Sequence, residues 1–189
     1  LVNRGIVNFV RLAGQQEEAE RRVTQALIST NFAAKLTATQ IKEVASSLQS
    51  LTTFGDEAVL GSSALLLTFK DIAGDTFIEA QKTILDVSAA MGQDLKTSTI
   101  QVGKALNDPI KGIGALRRVG IQFSKTQEEQ IKSFVETNQV AKAQGLILEE
   151  LESQFGGMAE ALADTASGAL DQMNNSLGDL GEEIGRNLQ

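Results

Sequence analysis

The chain has 189 residues and contains neither cysteine nor histidine. Without cysteine it can form no disulfide, no thiolate nucleophile and no cysteine-ligated zinc site. Without histidine it lacks the side chain that most readily exchanges protons near neutral pH. A Ser-His-Asp triad, a histidine-ligated metal centre and a His-Glu-x-x-His motif are therefore excluded within this chain.

Aromatic residues and proline are also scarce. Aromatic residues make up only 4% of the chain, all of them Phe, and Pro109 is the single proline. The 42% of hydrophobic residues is enough for a core, which Leu, Ile, Val and Ala must build. A β-sandwich needs turn signals about every eight to twelve residues, and proline is one of them. The composition therefore predicts an all-α fold, a compact domain of short amphipathic helices.

Long apolar runs are missing as well. The longest, residues 64–69, is far shorter than the roughly 20 residues that cross a bilayer as a helix. The chain begins at Leu1, and no basic, apolar leader opens it. We therefore expect no transmembrane segment, and we expect the chain to be a fragment of a longer protein.

Negative charge is concentrated in the last third of the chain. The net charge is −7, and residues 126–189 contain 12 acidic but only 3 basic side chains. An acidic segment repels phosphate, and the mildly basic cluster of Lys104, Lys111, Arg117 and Arg118 has only Phe123 as an aromatic neighbour. We therefore expect no direct nucleic-acid recognition, and ion pairs from this cluster to neighbouring acidic helices.

Capping signals divide the chain into short helices. Thr37 and Gln40 have the spacing of a capping box, and apolar residues follow at three- and four-residue steps up to Leu51. Gly55 is predicted to end this helix. Thr126 and Glu129 have the same spacing and predict a second box.

Two short motifs are predicted to shape the chain between helices. Asn107, Asp108 and Pro109 should end one helix and start the next, because proline is well placed in a helix's first turn. Phe155, Gly156 and Gly157 should end a later helix. We expect both motifs to matter for shape rather than for chemistry.

The last stretch has the spacing of a helix–helix seam. Its apolar residues are separated by three, four, three and four positions: Leu170, Met173, Leu177, Leu180 and Ile184. The seam is short, and the glycines within it weaken a helix by about 1 kcal/mol each. The pattern fits a coiled coil with a partner chain and an amphipathic helix that docks on its own domain equally well.

These patterns predict a lead-in helix over residues 1–35, a compact helical module over 36–157 and an amphipathic helix over 158–189. No cofactor site is predicted, since the glycines at 112 and 114 lack the third glycine of a dinucleotide loop. No calcium-loop motif is present either, and we assign no metal ligand. Glu149, Glu150 and Glu152 could in principle provide a carboxylate pair for glycoside hydrolysis, but a charge run is usually a solvated helix face. No catalytic residue is assigned.

Several long motifs occur in an order that is typical of one protein family. They are Phe-Gly-Asp-Glu-Ala-Val-Leu-Gly-Ser-Ser from residue 54, Gly-Lys-Ala-Leu-Asn-Asp-Pro from 103 and Gln-Phe-Gly-Gly from 154. With the stretches between them, over about residues 36–184, they strongly resemble the tape measure protein of long-tailed bacteriophages and prophages.

The resemblance implies a helical structural protein threaded through the phage tail, which sets tail length during assembly and leaves ahead of the genome at infection. It implies the tail tube and other tail and assembly proteins as partners, and the seam spacing of the last stretch adds self-association through helices. The virion tail interior, and the host cytoplasm during assembly, would be its location. Two alternatives stay open: a cell-wall hydrolase domain, and an ejected channel component that touches the host membrane, suggested by the apolar segment 58–69.

Overall fold

A computed structural model of the protein describes residues 2–187, and their side chains from residue 9 onward. All regular structure in this range is helical, which confirms the predicted all-α fold. In chain order the helices are α1 (Val2–Ser29), α2 (Ala38–Leu51), α3 (Asp56–Leu66), α4 (Asp75–Met91), α5 (Leu95–Asn107), α6 (Pro109–Arg118), α7 (Lys125–Glu136), α8 (Val140–Phe155), α9 (Met158–Ala163) and α10 (Ala166–Asn187).

The helices pack around one aliphatic core. Its largest fully buried side chains are Phe77, Leu27, Ile41, Leu60, Leu66, Leu67, Ile72, Ile84, Leu85, Leu106, Leu116 and Ile121. Three of these side chains, Leu60, Leu66 and Leu67, belong to the apolar segment 58–69, so this segment is packed in the core. The core also includes Leu27 of α1, which precedes the predicted boundary at 35, and Ala159 of α9, which follows the predicted boundary at 157. Those boundaries stay predictions.

No helix described between residues 2 and 187 is both long and apolar enough to cross a bilayer.

The first predicted capping box is confirmed, but its helix ends differently. The Gln40 backbone N–H donates to Thr37 Oγ1 at 3.2 Å, and the Thr37 N–H donates to Gln40 Oε1 at 2.9 Å. The helix ends at Leu51, where Thr52 adopts an extended conformation. The prediction that Gly55 ends α2 was wrong, because Gly55 is the N-cap of α3.

The second predicted capping box was wrong by two residues. The box is formed by Ser124 and Gln127, whose N–H groups and side chains bond reciprocally at 2.8 and 3.2 Å. Residues 121–124 carry no regular structure, and Ser124 has the extended conformation of an N-cap. Thr126 and Glu129 consequently lie inside α7.

A chain of buried polar side chains joins α3, α4 and α5. Gln81 Nε2 donates to Ser62 Oγ at 2.8 Å, and Ser62 Oγ lies 2.8 Å from Thr99 Oγ1, within hydrogen-bond distance. The neighbouring Ser63 is equally buried, but its hydroxyl has no hydrogen-bond partner. Of these two adjacent serines of α3, only Ser62 therefore takes part in a buried hydrogen bond through its hydroxyl.

The chain after residue 157 forms two helices where the sequence predicts one. Thr165 Oγ1 accepts from the Gly168 N–H at 3.0 Å, which is an N-cap bond that starts α10 anew. A Cβ on Gly168 would lie 2.1 Å from the Leu162 carbonyl oxygen, so the corner between α9 and α10 requires glycine. The longer C-terminal helix is α10.

Candidate functional site

The predicted seam residues lie on the outer face of α10. Leu170, Met173, Leu177, Leu180 and Ile184 are between 36% and 58% exposed. Because all five share one helix face, they form a continuous apolar surface, which we call the α10 stripe. The structure therefore places the seam away from the core of its own domain.

A different face of α10 docks on the domain, and it is polar or lacks side chains. The residues of this docking face also recur at three- and four-residue steps: Gly168, Gln172, Asn175, Asp179, Glu182 and Gly185. An amphipathic helix on a globular domain ordinarily turns its apolar face inward. In α10 that orientation is inverted.

The close approach of α1 accounts for two glycines on the docked side of α10, Gly181 and Gly185. A Cβ on Gly185 would lie 2.2 Å from the Phe9 carbonyl oxygen and 3.0 Å from Ala13 Cβ. At Gly181 it would meet the Leu12 side chain at 2.9 Å. The glycines that weaken α10 as an isolated helix therefore let it lie directly against α1.

Side-chain amides hold the middle of α10. Asn175 Nδ2 donates to the Thr53 carbonyl at 3.3 Å, and Gln49 Nε2 of α2 donates to Asp179 Oδ2 at 2.7 Å. Such bonds have directions and fix the rotation of the helix about its axis. The docked orientation keeps the α10 stripe in solvent.

Three carboxyl groups meet where α10 contacts the start of α3. One oxygen from each of Asp56, Asp179 and Glu182 lies within 4.8 Å of the other two. We call these three residues the carboxylate cluster. Glu182 is only 2% exposed, and Gln16 of α1 donates to Asp56 Oδ2 at 2.7 Å.

Burial perturbs the acidity of these groups. Loss of hydration on burial, together with the negative charge of neighbouring Glu57, raises the pKa of Glu182 to about 8. Burial likewise raises the pKa of Asp56 to about 6, against the lowering effect of the Gln16 hydrogen bond. The pKa of Asp179 is raised by the same cause.

Sequence reasoning missed the carboxylate cluster. Asp56 is far along the chain from the other two members, and the acidic residues near the C-terminus are readily attributed to solubility. The one available signal is the three-residue step between Asp179 and Glu182, which places both on the glycine-bearing side of α10.

The first motif forms a helix junction. Asp108 caps α6, because its Oδ1 accepts from the Lys111 N–H at 3.3 Å, and Pro109 is the first residue of that helix. Its hydrogen bond with Lys111 lowers the pKa of Asp108. Asn107 Oδ1 accepts from the Asp71 N–H at 3.4 Å. These contacts set the course of the backbone.

The second motif turns the chain from α8 into α9. Gly156 is the C-cap of α8, and Gly157 has φ +79°, in the left-handed region that favours glycine. Beyond the turn, the Ala159 N–H donates to buried Asp86 Oδ1 at 3.0 Å. Phe155 packs against the core.

The other charged candidates lie on exposed or partly exposed surfaces. Arg117 of the basic cluster pairs with Glu128 of α7 at 2.9 Å, as the sequence predicts for this cluster. Glu149 and Glu152 are exposed, and Glu150 accepts hydrogen bonds from the amides of Gln127 and Gln154.

Comparison of the chain with protein-family models, with curated proteins and with solved structures found no match.

Proposed function

We propose that this chain is a structural and assembly module of a phage tail tape measure protein, without enzymatic activity. Its ordered motifs between residues 54 and 170 resemble that family, and the all-helical fold agrees with what the resemblance implies. The observation that carries the proposal is the inverted orientation of α10, which docks through glycines and polar groups and leaves the α10 stripe exposed.

The exposed stripe is costly unless something covers it. Burying a Leu, Ile or Met side chain is worth roughly 1.5–3 kcal/mol, and a contiguous exposed apolar surface commonly marks a contact site. The domain could gain this energy by rotating α10, but the Gly185 contact and the Gln49–Asp179 hydrogen bond oppose that rotation. The sequence is therefore organised to keep the stripe available to a partner.

Another α-helix with the same apolar spacing is the proposed partner. Steps of three and four residues let side chains of two helices interdigitate, and the α10 stripe matches a second copy of itself. We therefore propose that copies of the module associate through α10. In the tail, this association would line up tape measure chains inside the tube. The tail tube and assembly proteins would surround them.

The hydrolase alternative gains no support from the carboxyl groups. The carboxylate cluster has the close spacing and raised pKa values of a catalytic pair. Glu182, however, is 2% exposed and lies on the face of α10 that docks on the domain, so a polysaccharide cannot reach it. We propose a structural role for the cluster instead.

Deleting residues 36–187 in frame from the encoding phage or prophage tests the assembly role. We expect lysates without tails if the module recruits tail proteins, or tails shortened in proportion to the deletion if it acts as a ruler. Electron micrographs would distinguish these two results. Tails of unchanged length and number would contradict the proposal.

Sedimentation of the isolated chain tests the proposed self-association. We expect concentration-dependent association that is lost in the double variant Leu177→Glu, Leu180→Glu, because a charge on an apolar contact prevents burial. Ile28→Glu is the matched control, since Ile28 of α1 is equally exposed, at 55%, but lies outside the stripe. Equal association of both variants would contradict a contact through α10.

A further inference from the structure

The carboxylate cluster contains buried oxygen atoms whose bonding is incomplete. Asp56 Oδ1 and Glu182 Oε1 are inaccessible to solvent and have no hydrogen-bond partner. The same is true of Oε1 of Gln16, a residue 7% exposed whose amide nitrogen donates to Asp56. A buried oxygen without a partner costs roughly 1–3 kcal/mol, and more if charged. Two of these oxygens belong to the carboxylate cluster and the third to a side chain hydrogen-bonded to it, so a group that bonds to buried oxygens fits there.

A cation is the bonding group that this concentration of carboxyl groups favours. The cluster combines three carboxyl groups, and Glu57 adds a fourth close by. No cationic side chain is among the groups that perturb Asp56, Asp179 or Glu182. When ionised, carboxylates this close repel each other, and this repulsion opposes the docking of α10 at the start of α3.

The spacing of the oxygens fits a metal ion of calcium size. Calcium binds oxygen ligands at about 2.3–2.6 Å, so two ligands on opposite sides of the ion are about 4.8 Å apart. The three carboxylate oxygens lie within 4.8 Å of one another, as ligands of one ion do. Asp179 is exposed, so the ion and its water ligands can enter from that side.

We propose that Asp56, Asp179 and Glu182 bind one divalent cation of the calcium type, with Gln16 holding Asp56 in place through its amide hydrogen bond. The ion joins α3 and α10, and it neutralises the repulsion at their junction. It locks the last helix onto the domain in the orientation that exposes the α10 stripe. The site does not depend on the proposed tail function.

Calcium-dependent stability of the whole chain tests the site. Thermal unfolding followed by circular dichroism is measured in calcium chloride and in chelator, at equal ionic strength. A specific site raises the melting temperature by roughly 5–10 °C at a calcium concentration of 100 times Kd. Magnesium, which demands a smaller octahedral shell, should give a smaller rise.

Two neighbouring glutamates provide matched variants. Glu182→Gln should abolish the calcium effect, whereas Glu183→Gln, an exposed neighbour with the same charge change, should retain it. Removing a buried charge should not prevent folding. If Glu182→Gln nevertheless fails to fold, Asp179→Asn on the exposed side replaces it, and the same loss is expected.

Three results would overturn the proposal. The first is an unchanged melting temperature of the unmodified chain up to about 10 mM calcium, well above the millimolar limit of weak protein sites. The second is an equal rise in Glu182→Gln and Glu183→Gln, which would indicate nonspecific screening. The third is a magnesium effect as large as that of calcium, which would contradict the calcium-type geometry.

Discussion

Replacing Gly185 with alanine tests how closely α10 lies against α1. The new Cβ would lie 2.2 Å from the Phe9 carbonyl oxygen, more than 1 Å inside the ordinary contact range of 3.4–4 Å. Both obstructing groups, the Phe9 backbone and Ala13, belong to α1. Neither can shift by itself, because the hydrogen bonds of the helix hold its residues together. The helices must therefore separate, and the bonds between α10 and the domain must lengthen.

The size of the effect follows from two opposing contributions. Alanine is preferred over glycine inside a helix by about 1 kcal/mol, which would stabilise any such variant. Forcing extra volume into a close contact costs about 1–3 kcal/mol. Gly178→Ala on the same helix isolates the first contribution, because its Cβ would have nothing within 4 Å.

Urea unfolding of the two variants measures the difference. We expect Gly178→Ala to be more stable than the unmodified chain by up to about 1 kcal/mol, and Gly185→Ala to be less stable than Gly178→Ala by about 1–3 kcal/mol. For a chain of this size, each kcal/mol also shifts the melting temperature by about 2–4 °C. Equal stability of the two variants would refute the close docking of α10.

Three further predictions concern the interior, the carboxyl groups and the second motif. Ser62→Ala removes the hydrogen-bond partner of the buried Gln81 amide and should lower the free energy of unfolding by about 1–3 kcal/mol. Ser63→Ala removes a hydroxyl without a partner and should be neutral or stabilising. Urea titrations of both variants measure the difference. In chelator, the melting temperature should fall as pH rises from about 4 to about 8, because the folded carboxylate cluster binds protons that the unfolded chain releases; Glu182→Gln should flatten this fall. Gly157→Ala should lower the free energy of unfolding by about 1–2 kcal/mol, because alanine is strained at the positive φ of this position. Gly145→Ala inside α8 should not destabilise the chain, since its Cβ would meet nothing within 4 Å. Calorimetry can measure this contrast.

Local signals predicted much of the fold. The Thr37 box, the Asp108–Pro109 junction and the Gly156–Gly157 turn depend on neighbouring residues only, so their sequence suffices. The box predicted at Thr126 failed because Ser124 and Gln127 fit the same pattern two residues earlier. Where two matches to the capping-box pattern overlap, the helix begins at the match that directly follows the preceding extended segment. The four-residue pattern does not show where that segment ends.

The site was predictable only in part. The spacing of the α10 stripe indicated a helix contact, but both a docked and a free seam fitted that spacing. Gly181 and Gly185 have low helix propensity, so the sequence alone suggests that they weaken α10. Their role in letting α1 pack closely is visible only in the folded structure. The carboxylate cluster depends on bringing Asp56 to Glu182 across most of the chain, which no local pattern encodes.

The most direct test of the central claim is electron microscopy of tails made by phage that carry the Leu177→Glu, Leu180→Glu double variant. We predict that these tails are absent or aberrant, because the α10 stripe can no longer contact its partner helix, while Ile28→Glu phage assemble normally. Tails of normal length and number from the double variant would contradict the account.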